Sequence, residues 1–141
     1  MSKPNVRKPI GSIIWPCDAR ECMHLLRSYM FSAVEGFGIV FGPPAPDPMA
    51  IVRGLLAGTV DDKERESALD AWWAVTDRLG IRDFQSKDAL TARLAISLLS
   101  TNEQDVSNLG EHLSWFGEVL SMLGANSGRA SEMMHAHFDF R

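Results

Sequence analysis

The sequence predicts a mainly α protein: about five helices in a compact bundle, with a minor two-stranded β patch from the terminal segments. Apolar residues recur at helical spacing in several stretches, which is the main evidence for helices. Apolar content is 45% and charged content 23%, as in ordinary globular proteins. The 141 residues are enough for one hydrophobic core. We therefore expect a flexible arm, residues 1–9, followed by a single helical domain, residues 10–141.

The first helix is expected to follow a short extended piece. Residues 1–9 carry two prolines and three basic residues, as a loose arm would. Ile10–Trp15 is short and apolar and is ended by Pro16. Asp18 and Glu21 then have the spacing of a capping box. The apolar stripe of this helix consists of Cys22, Leu25, Leu26, Tyr29, Met30, Ala33 and Val34.

Glycines and prolines separate the first helix from the second. Gly36 and Gly38 end the first helix, and Phe37–Phe41 has the composition of a short strand. A stiff connector follows, with Pro43, Pro44, Pro46 and Pro48. Asp47 before Pro48 is a favoured pairing at a helix start, so the second helix is predicted over 48–57.

Two further helices come next. Thr59 or Asp61 opens the third, which Gly80 ends. Trp72 and Trp73 lie about 100° apart on this helix, so we expect both at the edge of the core, or one facing a partner. Its stripe consists of Leu69, Trp72, Trp73, Thr76 and Leu79. Ser86 caps a fourth helix, residues 87–99, whose apolar positions are Leu90, Leu94 and Leu98.

A seven-residue repeat marks the longest helical pattern, Thr101 to Gly124. Each unit reads Ser-x-Leu/Phe-Gly-Glu/Ala, and Thr101 with Gln104 has capping-box spacing. The main core stripe of this helix consists of Leu109, Leu113, Phe116, Leu120 and Leu123. Gly110, Gly117 and Gly124 line one edge of it. Glycine weakens a helix, so we expect close approach of a neighbouring helix there, with self-association along the same edge as part of the function.

A second apolar group on this helix consists of Trp115, Val119 and Met122, with His112 beside it. Either the helix is the buried centre of the bundle, or these residues form an exposed patch for a partner. Glu111 and Glu118 belong to the polar arc. Residues 101–128 contain four acids and no lysine or arginine, so a partner at this patch would be basic.

The C-terminal tail supports two structures and one metal-binding hypothesis. Met134 to Arg141 alternates apolar and polar residues as a strand does, although a short helix fits nearly as well. As a strand, it would place His135, His137 and Asp139 on one face, a spacing found in metal sites. A polar, solvated face is the simpler interpretation, because a zinc site needs three or four ligands of suitable geometry.

A DNA-binding alternative comes from residues 69–99. Leu79-Gly80-Ile81 between two helices loosely resembles the turn of a helix-turn-helix. The second helix offers only Lys87 and Arg93 as basic residues, whereas a recognition helix needs several side chains that reach phosphates and bases. The same turn is fully explained by an ordinary helix stop.

Composition narrows the class of function. The net charge of −4 disfavours nucleic-acid and membrane partners. No apolar run is long enough to span a bilayer, and two cysteines are too few for a disulfide framework, so a cytoplasmic protein is expected. We find no convergent catalytic set and no cofactor motif. The sequence thus favours a non-enzymatic protein-binding module of the inhibitor, immunity or adaptor kind, with a homodimer as one form.

Overall fold

Six helices and two short strands make up the part of the chain that a computed structural model describes, residues 13–15, 18–42, 45–79, 86–102 and 109–140. The elements are β1 (Ile13–Ile14), α1 (Ala19–Gly36), α2 (Pro48–Ala57), α3 (Asp62–Leu79), α4 (Lys87–Leu99), α5 (Leu109–Met122), α6 (Ser127–His137) and β2 (Asp139–Phe140). The mainly α class is confirmed. The predicted arm, residues 1–9, lies outside the described residues.

Local capping chemistry starts three of these helices, α2, α3 and α4, where the sequence places them. The Asp47 carboxylate accepts a hydrogen bond from the Met49 amide, at 3.0 Å, and the Ser86 hydroxyl accepts one from the Ala89 amide, at 3.1 Å. Asp61, rather than Thr59, opens α3 through a reciprocal capping box with Glu64. Asp18 precedes α1, but its side chain makes no capping hydrogen bond, contrary to prediction.

The centre of the bundle is α4. Its residues from Ala89 to Leu99 are all buried apart from the half-buried Thr91. Leu94 and Leu98 belong to a large core cluster built mainly from α1 and α5. The opposite side of α4 packs on α3 in a second cluster, formed by Ala68, Trp72, Val75, Ala92, Ala95, Ile96 and Leu99. A helix enclosed on both sides is expected to be apolar over most of its surface, and α4 is, with Arg93 and Ser97 as its buried polar residues.

Thr101 makes a long-range contact beyond the end of α4. It is fully buried beyond the end of α4, and the described part of the repeat helix begins at Leu109. The Arg27 guanidinium donates to the Thr101 hydroxyl, at 2.9 Å, and to its carbonyl, at 2.8 Å. Gln104, the other member of the predicted capping box, lies outside the described residues, and the described partner of the Thr101 side chain on α1 is Arg27.

The two ends of the described chain meet in a short antiparallel ladder, in which Ile13 pairs with Phe140 and Ile14 with Asp139. The strand pattern of the tail holds only there, since α6 continues to His137. Phe37–Phe41 is not a strand. Gly38 adopts a left-handed conformation (φ 68°), and the Ile39 amide bonds the Val34 carbonyl, so the first of these residues form the stop of α1.

Tyr29, the only tyrosine, gives a spectroscopic test of this core. It lies against Phe116 and Phe138, and burial raises its pKa to about 12. Between pH 10 and 12 the folded state keeps a proton that the unfolded state has lost. Stability should therefore fall across this window, by about 2 kcal/mol at its upper end. Tyrosinate absorbance will locate the pKa, and Tyr29→Phe should remove the loss. A midpoint near 10 in the folded protein would contradict this packing.

Candidate functional site

Helix α5 separates a core face from an outer face. Its core face consists of Leu109, Leu113, Phe116, Val119 and Leu120, all buried in the large cluster. These residues recur at spacings of three and four, so they lie on one side of the helix. Helices α4 and α1 pack on that side. On the opposite side of the helix, Glu111, Ser114 and Glu118 are exposed in the described part of the chain.

The outer face carries a regular stripe of four residues: Glu111, Trp115, Glu118 and Met122. They follow at i, i+4, i+7 and i+11, which keeps them within about 60° of one another around the helix. Both glutamates are exposed and Met122 is 42% exposed. Trp115 is half-buried, with part of its ring packed on the large cluster. We call these four residues the outer stripe of α5.

The predicted apolar group does not stay together. Val119 is fully buried, so it belongs to the core and is not on a surface of the monomer. His112 is half-buried and lies nearest Val119 around the helix. Trp115 and Met122 alone turn outward. The repeat helix is thus neither the centre of the bundle, which is α4, nor a patch of three apolar anchors.

At Gly117 the glycine edge receives no neighbouring helix of the described chain. A Cβ atom built on the exposed Gly117 would meet nothing within 4 Å. Gly124 instead ends α5: its φ of 95° is left-handed, and the following Ala125 amide bonds the Leu120 carbonyl, at 3.0 Å. Gly110 is half-buried. The predicted close packing inside the monomer is wrong at Gly117, and self-association along this edge stays a prediction.

Gly117→Ala is expected to raise the free energy of unfolding by about 1 kcal/mol, because alanine stabilises a helix interior and open space surrounds the site. Chemical denaturation measures it. Gly124→Ala is the matched control and should destabilise, since a side chain is strained at its φ. If Gly117→Ala instead lowered stability or dissociated a dimer in light scattering, Gly117 would have to lie against a second copy.

The tail histidines do not share a face. His135 and His137 lie on α6, where residues two apart point about 200° away from each other. The His135 ring contacts the Ser131 carbonyl, at 2.8 Å, and the His137 ring the Leu25 carbonyl, at 3.0 Å. The side chain of Asp139 lies outside what the structure describes. Among the described residues no three potential ligands are grouped to hold a metal ion.

Helix α4 would be the recognition helix of a helix-turn-helix, and it is the most enclosed helix of the described chain. Only its first residues, such as Lys87, are exposed, and Arg93 is 7% exposed. The intervening residues 80–85 lie outside the described chain. A helix with core on both sides cannot enter a major groove, so the basis of the DNA-binding alternative is lost.

Buried arginines are the polar feature that sequence reasoning missed. Arg65 is 2% exposed; its guanidinium donates to both carboxylate oxygens of Asp62 and to the Leu99 carbonyl. This hydrogen bond holds the pKa of Asp62 below its usual range. The guanidinium groups of Arg65 and Arg27, which bond the Leu99 and Thr101 carbonyls, place positive charge at the carbonyl end of α4. The helix dipole favours positive charge at that end. Both arginines therefore hold α4 in place.

Comparison with known proteins adds no relative to these observations. No family model, curated protein or solved structure matches this chain. None of the described helices combines the length and apolar character that a membrane span needs.

Proposed function

We propose that this chain is a non-enzymatic, cytoplasmic protein-binding module of the inhibitor, immunity or adaptor kind, and that it engages a basic protein partner through the outer stripe of α5. One observation carries the proposal. Along the stripe, the half-buried Trp115 lies between two exposed glutamates and the exposed Met122 follows the second, on a helix whose other face is entirely core.

Each part of the stripe has a physical role in such a contact. Trp and Met are enriched at protein interfaces, where they supply apolar area to a buried centre. The ring of Trp115 is already ordered by the core beneath it, so little side-chain entropy is lost on binding. Glu111 and Glu118 flank Trp115, and Glu118 also lies beside Met122, so both would steer a basic partner towards the apolar pair. The stripe extends about 16 Å along the helix, enough to lie beside one partner helix.

Other occupants and functions have less support. The acidic stripe would repel nucleic acid, and α4 is enclosed in the bundle. His135 and His137 point to different sides of α6, which leaves the metal-binding alternative with less support. A second copy of the chain is the alternative partner of the outer stripe. In that case, light scattering would show a dimer. The cytoplasmic placement rests on the sequence, with its two cysteines and lack of long apolar runs.

Site-specific photocrosslinking tests the proposal. A photoreactive residue at position 118 should capture one basic protein, whereas the same residue at position 132, exposed on α6, should not. With that partner purified, Met122→Ala should weaken the affinity about tenfold, as truncation of an interface anchor does. The melting temperature should stay unchanged. Equal adducts from both positions, or unchanged affinity of Met122→Ala, would contradict the assignment of this surface.

A further inference from the structure

Two adjacent tryptophans of α3 have opposite environments. Trp72 is buried; its indole N–H donates to the Pro46 carbonyl, at 2.7 Å, and its ring meets Phe41 edge-on. Trp73 is 42% exposed, one of three large apolar side chains so exposed in the described chain. Trp72 therefore fixes α3 to the connector before α2, while Trp73 serves no packing role of comparable extent.

Trp73 lies in a row of carboxylates. Glu66, Asp70, Trp73 and Asp77 follow at i, i+4, i+7 and i+11, so they share one face of α3. All three acids are exposed and, among the residues that the structure describes, none of them forms an ion pair. Lys63 and Arg78 lie on the same helix, and neither forms an ion pair with these acids among the described residues. We call these four residues the acidic Trp73 face.

The chemistry of this face selects a cationic, planar group. An exposed indole attracts a guanidinium over its ring, and arginine is the side chain that does so most often. Carboxylates on both sides of the indole would pair with further cations. The same charges repel nucleic-acid phosphates and anionic lipids, which leaves a basic protein segment as the occupant.

We infer that the acidic Trp73 face binds an extended, arginine-containing segment of a partner protein. The row is about 16 Å long, the length of roughly five residues of extended chain. Side chains on one edge of such a chain lie about 7 Å apart, close to the rise of about 6 Å between Glu66 and Asp70. One arginine stacks on Trp73 while its neighbours pair with the acids at either end.

This surface is separate from the outer stripe of α5. Helix α4 lies between them, because α3 packs on one side of α4 and α5 is part of the cluster on the other. The inference therefore stands or falls independently of the proposed function. Substitutions on α3 should leave the α5 contact unchanged, and substitutions on α5 should leave the α3 contact unchanged.

Fluorescence anisotropy with a labelled peptide of four Arg-Ala repeats tests it on the full chain at low salt. Asp70→Asn combined with Asp77→Asn should weaken binding about fivefold, and Trp73→Ala about threefold, as expected for exposed ion pairs and an exposed cation–π contact. The control, Glu35→Gln with Glu132→Gln, changes the net charge equally at exposed positions of α1 and α6 and should stay within about twofold of wild type.

Three results would overturn the inference: no binding at low salt, an equal loss in the control, or full affinity in Trp73→Ala. A Lys-Ala peptide of the same length adds a further test, because lysine stacks less well on indole and should bind more weakly. The double variant Asp70→Asn, Asp77→Asn changes only exposed helix residues and should keep the fold. Its affinity for the peptide therefore tests the inference even if Trp73→Ala loses stability.

Discussion

Replacing Ala95 by glutamate is expected to unfold the protein. Ala95 is fully buried in the small cluster between α3 and α4. A longer side chain overpacks this contact, and its carboxylate would be buried without a partner. Together these effects should cost about 4 kcal/mol or more, a large part of the stability of an ordinary domain. Circular dichroism and chemical denaturation measure the loss.

Lys87→Glu is the matched control for Ala95→Glu. Lys87 lies exposed in the first turn of the same helix, where the dipole favours an acid. Its free energy of unfolding should change by about 0.5 kcal/mol at most. If Ala95→Glu were as stable as Lys87→Glu, α4 would have an open face. The helix-turn-helix alternative would then return.

Phe116→Ala should lower the free energy of unfolding by about 3 to 5 kcal/mol. Its ring is fully buried on the core face of α5 and meets Tyr29 edge-on, with the ring centroids 6.0 Å apart. Removing it leaves a cavity between α5 and α1. Chemical denaturation gives the value, and the Tyr29 pKa should fall towards its ordinary range as water enters the cavity.

Ser114→Ala is the control for Phe116→Ala, because Ser114 is exposed on the same helix. We expect it to change stability by about 0.5 kcal/mol at most. A loss below about 1 kcal/mol for Phe116→Ala would mean that α5 does not pack as described. The division into a core face and an outer stripe would then have no basis.

Several features that depend on neighbouring residues were predictable from the sequence, although the capping box at Asp18 was not formed. Asp47 before Pro48 and Ser86 before α4 start helices through contacts two or three residues away. Apolar spacing likewise identified the core faces of α1 and α5. Such features succeed because they need no knowledge of distant parts of the chain.

Features that depend on tertiary contact were not predictable. Arg27 lies on the same side of α1 as Met23 and Met30, so its burial could have been suspected, but its acceptor is Thr101, far along the chain. Among the described glycines, a Cβ would meet its nearest neighbour most closely at Gly54, where it would overlap the Val60 side chain, whereas at the repeated Gly117 it would meet nothing within 4 Å. Regular spacing drew attention to the wrong glycines.

The four residues of the outer stripe of α5 were predictable from the sequence, but the burial of Val119 was not. Helical spacing alone puts Trp115 and Met122 with Glu111 and Glu118, and the structure leaves these side chains at least partly exposed. Val119 was grouped with them because it is close to them around the helix, but the position of the neighbouring helices buries it. No local pattern specifies how wide a core face becomes when two elements pack against it.

The affinity of the crosslinked partner for Glu118→Lys is the most direct test of the proposed binding surface. Glu132→Lys makes the same charge change at an exposed position of α6 and is the matched control. The outer stripe predicts that Glu118→Lys weakens binding about tenfold or more, while Glu132→Lys stays within about twofold and both variants keep their melting temperature. Equal affinities for the two variants would show that α5 is not the surface through which this protein acts.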